Sequence, residues 1–310
     1  MATEPILAAL DGPIVQRRRF LDSAVFSDYW ALTKPEVNFL IVVTTFAGFY
    51  LGHAGQWRDF PFLLSINAVL GTLLVASGTG TLNQYIERQF DAQMRRTARR
   101  PLAAGRLTPS AVLWFGIALS VMGSVYLAVA VNLLSSVLAI ATLLSYLFFY
   151  TPLKRKTPLC ILVGAFPGAM PPLIGWAAAS GKLTFEAWIL YAVLFLWQFP
   201  HFMAIAWMYR EDYDRASYQV FPHDGRVRAR FVNWQTLLPL LALALLSLLP
   251  AFANQSNMFY YIGEVILSLG FLYYGAQFVV NKSGATARRL LAASIIYLPL
   301  LFVLIVLSRG

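Results

Sequence analysis

The segment FPFLLSINAVLGTLLVASGTGTLNQYIERQFDAQMRRTARRP at residues 60–101 joins a long uncharged run to a dense group of charges. No charged residue occurs between Phe60 and Ile86, and this run exceeds the roughly 20 apolar residues that a membrane-spanning helix needs. Acidic and basic side chains then follow together from Glu87 onward. The segment therefore predicts a spanning helix whose end carries either a solvated boundary or a functional site.

The whole chain has the composition of an integral membrane protein. Of its 310 residues, 59% are hydrophobic and only 12% are charged, whereas a soluble domain is about 25% charged. The mean hydropathy is +0.64. The uncharged runs that mark candidate spans are residues 37–57, 60–86, 107–153, 157–181, 187–209, 231–263 and 290–308.

Two stretches of the chain are long enough for two helices each. Residues 107–153 are expected to turn near Val131 and Asn132. The sequence ANQSN at 253–257 is expected to separate two helices between residues 231 and 280. The sequence therefore predicts an all-α membrane protein in which nine transmembrane helices pack as a bundle.

Basic residues are distributed unevenly over the loops between these spans. With the N-terminus placed in the cytoplasm, 21 of the 24 lysines and arginines lie in inside segments, and only Arg58, Lys182 and Arg309 lie outside. The positive-inside rule requires this bias, so we expect a cytoplasmic N-terminus and a periplasmic C-terminus. The same rule accounts for most of the net charge of +10. The lipid bilayer is therefore the expected partner of the basic residues, and nucleic acid is not.

The chain is expected to form one domain after a short tail. Residues 1–27 are predicted as a cytoplasmic N-terminal tail, and residues 28–310 as a single nine-helix domain. Neither a cleavable signal peptide nor a transit peptide is recognisable near the N-terminus, which favours the inner membrane of a bacterial cell. Cys160 is the only cysteine, which excludes an internal disulfide and a cysteine-based metal cluster.

Topology does not explain the acidic residues at two span ends. Asn83, Glu87 and Asp91 are spaced four apart, so a helix with about 100° per residue places them along one stripe. A second acidic group, YREDYD at 209–214, ends the sixth span on the same side. Acids four residues apart repel one another unless a cation lies between them. We expect the two groups to share Mg2+, a hard cation that takes oxygen ligands and bridges to substrate phosphates.

Basic side chains surround the same predicted rim. They are Arg95, Arg96, Arg99, Arg100, Lys154, Arg155 and Lys156. Arginine binds phosphate oxygens in a bidentate manner, and lysine supplies a point charge. Acids for a metal and bases for phosphate, at the mouth of an apolar bundle, predict a site for a diphosphate with an apolar tail. The spacing alone leaves open the alternative that these charges form a solvated helix end and set the topology.

Three stretches carry a resemblance to a known family. They are NQYIERQFDAQMRRTARRPLAAGRLTP at 83–109, YTPLKRKTPLCILVGAFPGAMPPLIGWAA at 150–178 and WQFPHFMAIAWMYREDYDRA at 197–216. The first stretch resembles the N-x-x-x-(D/E)-x-x-x-D signature of the UbiA superfamily of intramembrane prenyltransferases. The LKRKT, PPLIGW and WQFPHF segments are similar to its protoheme IX farnesyltransferase (heme O synthase) branch. The resemblance implies nine helices around a central cavity that opens near the cytoplasmic side.

The resemblance also implies an activity and a set of site residues. The implied reaction transfers the farnesyl group of farnesyl diphosphate to a vinyl group of heme B and gives heme O, with Mg2+ as cofactor. The implied metal-binding residues are Asn83, Glu87, Asp91, Glu211 and Asp212, with Glu211, Asp212 and Asp214 left as alternatives in the second group. The implied diphosphate-binding residues are Arg95, Arg96, Lys154, Arg155 and Arg210. A heme A synthase or oxidase assembly factors are further implied partners.

The sixth span is predicted to line a cavity for heme and the prenyl chain. The predicted lining residues are Trp197, Gln198, His201 and Phe202. An ionisable residue inside a span is a functional hypothesis by default, so His201 joins Asn83, Glu87 and Asp91 as a predicted catalytic residue. The sequence leaves the role of His201 open between ligation of heme iron, proton movement at the vinyl group, and packing.

Two other functions are kept as alternatives. A sister enzyme of the same superfamily would prenylate a quinone precursor such as 4-hydroxybenzoate, and it would share the diphosphate site without the WQFPHF segment. A non-enzyme would be a transporter or a heme-handling protein of oxidase assembly. A transporter is expected to carry ionisable groups near the bilayer midplane, whereas the charges of this chain cluster at one predicted rim.

Overall fold

The computed structural model describes residues 23–55, 57–249 and 258–308, and the regular structure of these ranges is helical throughout. In chain order the helices are α1 (Ser23–Leu32), α2 (Pro35–Gly52), α3 (Phe62–Asp91), α4 (Pro109–Ala130), α5 (Leu133–Leu144), α6 (Thr151–Leu153), α7 (Cys160–Gly168), α8 (Met170–Ser180), α9 (Phe185–Met208), α10 (Arg210–Arg215), α11 (Gly225–Ser247), α12 (Met258–Val280) and α13 (Gly284–Ser308). A 3-10 turn at Trp57–Asp59 and a π-helical segment at Ser145–Tyr150 complete the regular elements of these ranges.

Nine helical segments of the described chain are long and apolar enough to cross a membrane, which confirms the predicted number of spans. Two of the nine are composite. The segment Leu133–Leu153 runs through α5, the π-helical segment and α6, and the segment Cys160–Ser180 consists of α7 and α8. The predicted turn near Val131 separates α4 from α5.

Two predicted boundary segments lie partly or wholly outside the described residues. The separator predicted at 253–257 lies outside them, between α11 and α12. Of the predicted tail, residues 1–22 lie outside them as well, whereas residues 23–27 belong to α1. Helix α1 therefore begins ahead of residue 28, and the division into a tail and one domain stays a prediction.

The fifth span is broken at Ala169, between α7 and α8. Pro167 lies inside α7, and Pro171 lies in the first turn of α8, where a missing N–H is tolerated. Gln198 of α9 donates its side-chain amide to the Ala165 carbonyl at 3.1 Å. A neighbouring helix thus supplies a hydrogen bond at the point where the backbone departs from a regular helix, which stabilises such breaks in lipid.

Glycines allow α2 and α8 to cross with their backbones in contact. A Cβ at Gly175 would overlap the Thr45 carbonyl oxygen, and one at Gly48 would overlap the Pro172 carbonyl oxygen. Close approach of this kind provides the dispersion contacts that drive helix association in a bilayer. Large apolar side chains are found on the outer faces of the bundle, as at Val129, which is 82% exposed. Such faces suit contact with lipid.

The polar ends of several helices meet at one end of the bundle. The backbone amide of Arg96, in the segment after α3, donates to Asp212 Oδ2 in α10 at 3.1 Å. The backbone amide of Gln219, in the segment after α10, donates to the Lys154 carbonyl at 2.7 Å. Segments that are far apart in the sequence are therefore held together around the end of α3.

Candidate active site

The acidic stripe at the end of α3 is buried. Asn83, Glu87 and Asp91 are 1%, 6% and 1% exposed, so the three residues share one inward face of the helix, as their spacing predicts. The side-chain amide of Asn83 donates to Glu87 Oε2 at 2.9 Å. An isolated buried carboxylate is costly to keep charged, and the neighbouring segments supply the cations that compensate this cost.

Lys154 is the cation that contacts Glu87. Its ammonium donates to Glu87 Oε1 at 2.9 Å and to Oε2 at 3.1 Å, and it also lies 4.5 Å from the ring centroid of Tyr150. Burial opposes the charged form of Lys154, but the Glu87 carboxylate outweighs burial and raises the pKa of Lys154 well above its ordinary value. Thr151, one helical turn earlier, accepts a hydrogen bond from the Asn83 amide at 3.3 Å. The end of α6 is therefore fixed against α3.

Lys34 is the cation that contacts Asn83. Its ammonium donates to Asn83 Oδ1 at 2.8 Å, from a position directly ahead of α2, which begins with Pro35. The backbone of Lys34 is left-handed, with φ of 54°, which is uncommon for a residue other than glycine. Burial lowers the pKa of the Lys34 ammonium to about 7, with repulsion from Arg100 and Lys154 in the same direction. Lys34 thus belongs to the buried polar cluster.

The two carboxylate oxygens of Asp91 differ in their hydrogen bonding within the described residues. Arg100 donates to its Oδ2 at 2.7 Å, and this ion pair closes the segment after α3 back onto the helix end. Thr97 of the same segment donates its hydroxyl to the Asp91 backbone carbonyl at 2.8 Å. The other carboxylate oxygen, Oδ1, is buried, and no residue of the described ranges hydrogen-bonds it. A buried polar atom in this state indicates a place for a further ligand.

The second acidic group contacts the segment after α3 through Asp212. Its carboxylate accepts from the Arg96 amide at 3.1 Å and from the Arg215 guanidinium at 3.1 Å. Burial alone would raise the pKa of Asp212, but these donors hold that pKa below its ordinary value. The Glu211 side chain is 75% exposed and lies 3.6 Å from its neighbour Arg210. Asp214 is exposed and lines a cavity of about 350 Å³ beside α10.

Two of the predicted phosphate-binding arginines lie on the segment after α3, and both are exposed. They are Arg95 and Arg96. The Arg96 guanidinium lies over the Tyr209 ring at 4.8 Å and near the Tyr213 ring at 5.9 Å. These aromatic faces orient the guanidinium while leaving its donors accessible to an anion.

Like Arg96, the other two predicted arginines lie over aromatic rings. Arg155 lies over the Phe90 ring at 4.6 Å. Arg210 lies over the Trp207 ring at 5.3 Å and donates to the Trp207 carbonyl at 2.9 Å. Both arginines are close in sequence to residues of the buried cluster or of the second acidic group. The structure thus places all four predicted arginines on the segments that meet around the end of α3.

The predicted cavity residues of α9 form a separate group. Trp197 stacks on the His201 ring, with centroids 4.6 Å apart and an interplanar angle of 26°. The edge of Phe202 packs against the same ring, with centroids 5.7 Å apart. His201 Nδ1 lies 2.8 Å from Ser294 Oγ of α13. Gln198 is engaged elsewhere, since its amide donates to carbonyls of α7 and of its own helix.

The described residues contain no hydrogen bond or ion pair between the His201 group and the Asn83 cluster. The structure therefore assembles two parts: a charged cluster at the end of α3 and an aromatic group between α9 and α13. The central cavity that the resemblance implies stays a prediction.

Two residues of these parts are not identified by sequence reasoning. The sequence marks Lys34 only as a basic residue ahead of the first span, although its position directly before Pro35 is a signal for a helix start. Ser294 lies in the apolar run at 290–308, and no sequence signal distinguishes it. The roles of both residues are indicated only by their contacts with residues of other helices.

The donor set of the Asn83 cluster fits a Mg2+ ion. Asn83, Glu87 and Asp91 supply side-chain oxygens, which is the ligand type that Mg2+ takes, and Oδ1 of Asp91 is buried without a hydrogen bond from the described residues. Among the described residues, however, no group of three or more His, Cys, Asp and Glu side chains lies close enough together to hold a metal ion. The participation of the second acidic group in a metal site stays a prediction.

Comparison with known proteins identifies the class. The model of the UbiA prenyltransferase family matches residues 41–303, and the chain belongs to this family. The resemblance seen in the three sequence stretches is thereby confirmed.

Individual relatives agree with this assignment. The protoheme IX farnesyltransferase of Solibacter usitatus is 47% identical over 291 residues, which cover 91% of this chain and 98% of the relative. A solved structure of digeranylgeranylglyceryl phosphate synthase superposes with a TM-score of 0.72 at 16% identity, covering 91% of this chain and 98% of that one. A UbiA homolog from Archaeoglobus fulgidus, bound to GPP and Mg2+, superposes with a TM-score of 0.56 at 14% identity, covering 90% and 99%. The solved structures show that the fold is shared.

Proposed function

We propose that this chain transfers the farnesyl group of farnesyl diphosphate to a vinyl group of heme B and thereby makes heme O. Its membership of the prenyltransferase family and its similarity to a protoheme IX farnesyltransferase support this reaction. The observation that carries the proposal is the buried cluster at the end of α3. Three residues with oxygen ligands and two lysines meet there at the end of an apolar bundle.

The cluster is proposed to bind the diphosphate. Lys34 and Lys154 lie beside the acids, so their ammonium groups can hold phosphate oxygens as charge develops on the leaving diphosphate. Mg2+ bound by Asn83, Glu87 and Asp91 would supply further neutralisation of that charge. The proposed additional phosphate ligands are Arg95, Arg96, Arg155 and Arg210. The proposed second metal-binding pair is Glu211 and Asp212.

The reaction breaks the C–O bond to diphosphate, the π bond of the vinyl group and one O–H bond of water, and it forms one C–C bond and one C–O bond. The C–O bond between the farnesyl group and diphosphate breaks, and the allylic carbon bonds to the terminal carbon of the vinyl group. Water then adds to the neighbouring carbon and loses a proton, which leaves a hydroxyl group. The allylic cation must be kept from water until the carbon–carbon bond has formed. Aromatic faces such as those of Trp197 and Phe202 would stabilise that cation.

The protein is proposed to lie in the inner membrane of a bacterial cell, with its site opening on the cytoplasmic side. The distribution of basic residues supports this orientation, because 21 of 24 lysines and arginines lie in segments on one predicted side. A heme A synthase or an oxidase assembly factor is proposed as the partner that receives heme O.

The reaction can be tested with membranes that contain the protein, heme B, farnesyl diphosphate and Mg2+, with product masses read by chromatography and mass spectrometry. We expect a farnesyl-hydroxyethyl heme that disappears with chelator and with Asp91→Asn. Asp28→Asn is the matched control, since Asp28 pairs with Arg106 outside the buried cluster. Prenylation of 4-hydroxybenzoate with heme left unchanged would instead identify the quinone-precursor enzyme. Absence of any prenylated product would support the non-enzyme.

A further inference from the structure

Ser294 of α13 contacts two residues of α9 through two different groups. Its backbone carbonyl accepts a hydrogen bond from Trp197 Nε1 at 2.8 Å. Its hydroxyl lies 2.8 Å from His201 Nδ1. Ser294 is fully buried. One serine thus fixes both aromatic rings of the stacked pair against the neighbouring helix.

The hydroxyl of Ser294 decides which nitrogen of His201 carries the proton. This hydroxyl donates to the Leu291 carbonyl at 2.6 Å. A hydroxyl has a single hydrogen, so both contacts can be hydrogen bonds at once only if the hydroxyl accepts from His201. The arrangement that satisfies both contacts assigns the proton to Nδ1 of His201, which then donates to Ser294. In the neutral imidazole, the lone pair then belongs to Nε2.

The same contacts fix the direction of that lone pair. Trp197 stacks on one face of the imidazole, and the edge of Phe202 meets the ring at 66°. His201 is only half-buried, and within the described ranges no hydrogen bond reaches Nε2. The described partners of the ring are two aromatic side chains and a hydroxyl, and none of them is an acid or base that could relay a proton at neutral pH. An oriented, unoccupied imidazole nitrogen of this kind is suited to bind a metal.

We infer that Ser294 is a positioning residue, which holds His201 so that Nε2 is presented as an axial ligand to the iron of heme. The identity of the iron compound rests on the proposed function. Neutral imidazole is a common axial ligand of heme iron, and the hydrogen bond at its other nitrogen fixes the tautomer and raises its basicity. Ligation by His201 would hold the porphyrin against α9 and α13.

The test is a spectroscopic titration of the purified full-length protein with heme B in detergent. The Soret and visible bands and the electron paramagnetic resonance spectrum report whether an imidazole is bound to the iron. The variants are Ser294→Ala, Ser294→Thr and His201→Ala, with Ser65→Ala as the control. Ser65 is buried and also donates its hydroxyl to the carbonyl three residues before it. Ser294→Ala keeps the bond from Trp197, because that bond uses the backbone carbonyl.

We expect wild type, Ser294→Thr and Ser65→Ala to show an imidazole-ligated heme. Loss of a partner that orients a ligating histidine typically weakens metal binding on the order of 10- to 100-fold, and we expect a weakening of that size in Ser294→Ala. His201→Ala should lose the signature and regain it with added imidazole. An unchanged spectrum in Ser294→Ala would overturn the role of Ser294, and an unchanged spectrum in His201→Ala would overturn the ligation itself.

Product formation in the same preparations separates this inference from the proposed function. If wild type makes heme O while His201→Ala keeps the heme spectrum, the inference fails and the function stands. If the imidazole signature depends on His201 and Ser294 but no prenylated heme forms, the inference stands and the function fails.

Discussion

Lys154 donates to both carboxylate oxygens of Glu87, at 2.9 and 3.1 Å, and the two side chains are only 14% and 7% exposed. The pair joins the end of α3 to the segment after α6 and so closes one side of the candidate site. In a buried pair of this kind, attraction between the charges is offset by the cost of removing both from water. Removal of one partner is therefore more harmful than removal of both.

We expect Lys154→Met to lower the free energy of unfolding by about 3–5 kcal/mol, because Glu87 is left buried without its cation. The double variant Lys154→Met with Glu87→Gln should recover much of this loss but none of the activity. Thermal unfolding in detergent and the heme product assay measure the two quantities. Lys182→Met, at an exposed lysine, is the control. Equal stability of the single and double variants would show that the pair does not act as a unit.

Lys34→Met should raise the KM for farnesyl diphosphate more than it lowers kcat. A hydrogen bond to a charged group contributes about 1.5–3 kcal/mol, so we expect a change on the order of 10- to 100-fold. Lys34→Arg should retain part of the binding because the charge is kept. The measurement is initial rate against farnesyl diphosphate concentration, with Lys282→Met as the control. A KM equal to that of wild type would place Lys34 outside the diphosphate site.

Variants at Glu211 and Asp212 distinguish their roles. Asp212→Ala removes the acceptor of the Arg96 amide and of Arg215, and loss of an ordinary hydrogen bond costs about 0.5–1.5 kcal/mol. We therefore expect faster trypsin cleavage in the segment after α3, together with reduced activity. Glu211→Ala should leave cleavage close to wild type, because that side chain is largely exposed, but it should reduce activity, since Glu211 is proposed to bind the metal. Unchanged activity in Glu211→Ala would place Glu211 outside the metal site.

Gly175→Ala should destabilise the bundle by about 1–3 kcal/mol, the usual cost of overpacking. The added Cβ would overlap the Thr45 carbonyl oxygen where α8 crosses α2, and a backbone atom cannot rotate away. Gly270→Ala in α12 is the matched control, since nothing lies within 4 Å of its Cβ position. Alanine favours a helix by about 1 kcal/mol over glycine, so this control should unfold at an equal or higher temperature. Equal melting temperatures for the two variants would contradict the close crossing.

The fold and part of the site follow from local features of the sequence. The nine spans are predicted from the uncharged runs together with the length of the apolar stretch 231–280, because a chain in lipid must satisfy its backbone hydrogen bonds within each helix. The common buried face of Asn83, Glu87 and Asp91 follows from the helical period. The family resemblance rests on motifs of the same local kind. None of these features depends on how the helices pack.

Only the tertiary structure decided which cation meets which acid and which group orients His201. Lys34 lies 49 residues from Asn83, Lys154 lies 67 residues from Glu87, and Ser294 lies 93 residues from His201. Asp212 likewise accepts hydrogen bonds from the segment after α3, which its acidic motif does not indicate. The physical reason is that hydropathy and periodicity report on a single helix. Hydrogen bonds between helices depend instead on how the helices cross, and in this chain those crossings are set by glycine contacts, helix breaks and buried charge pairs.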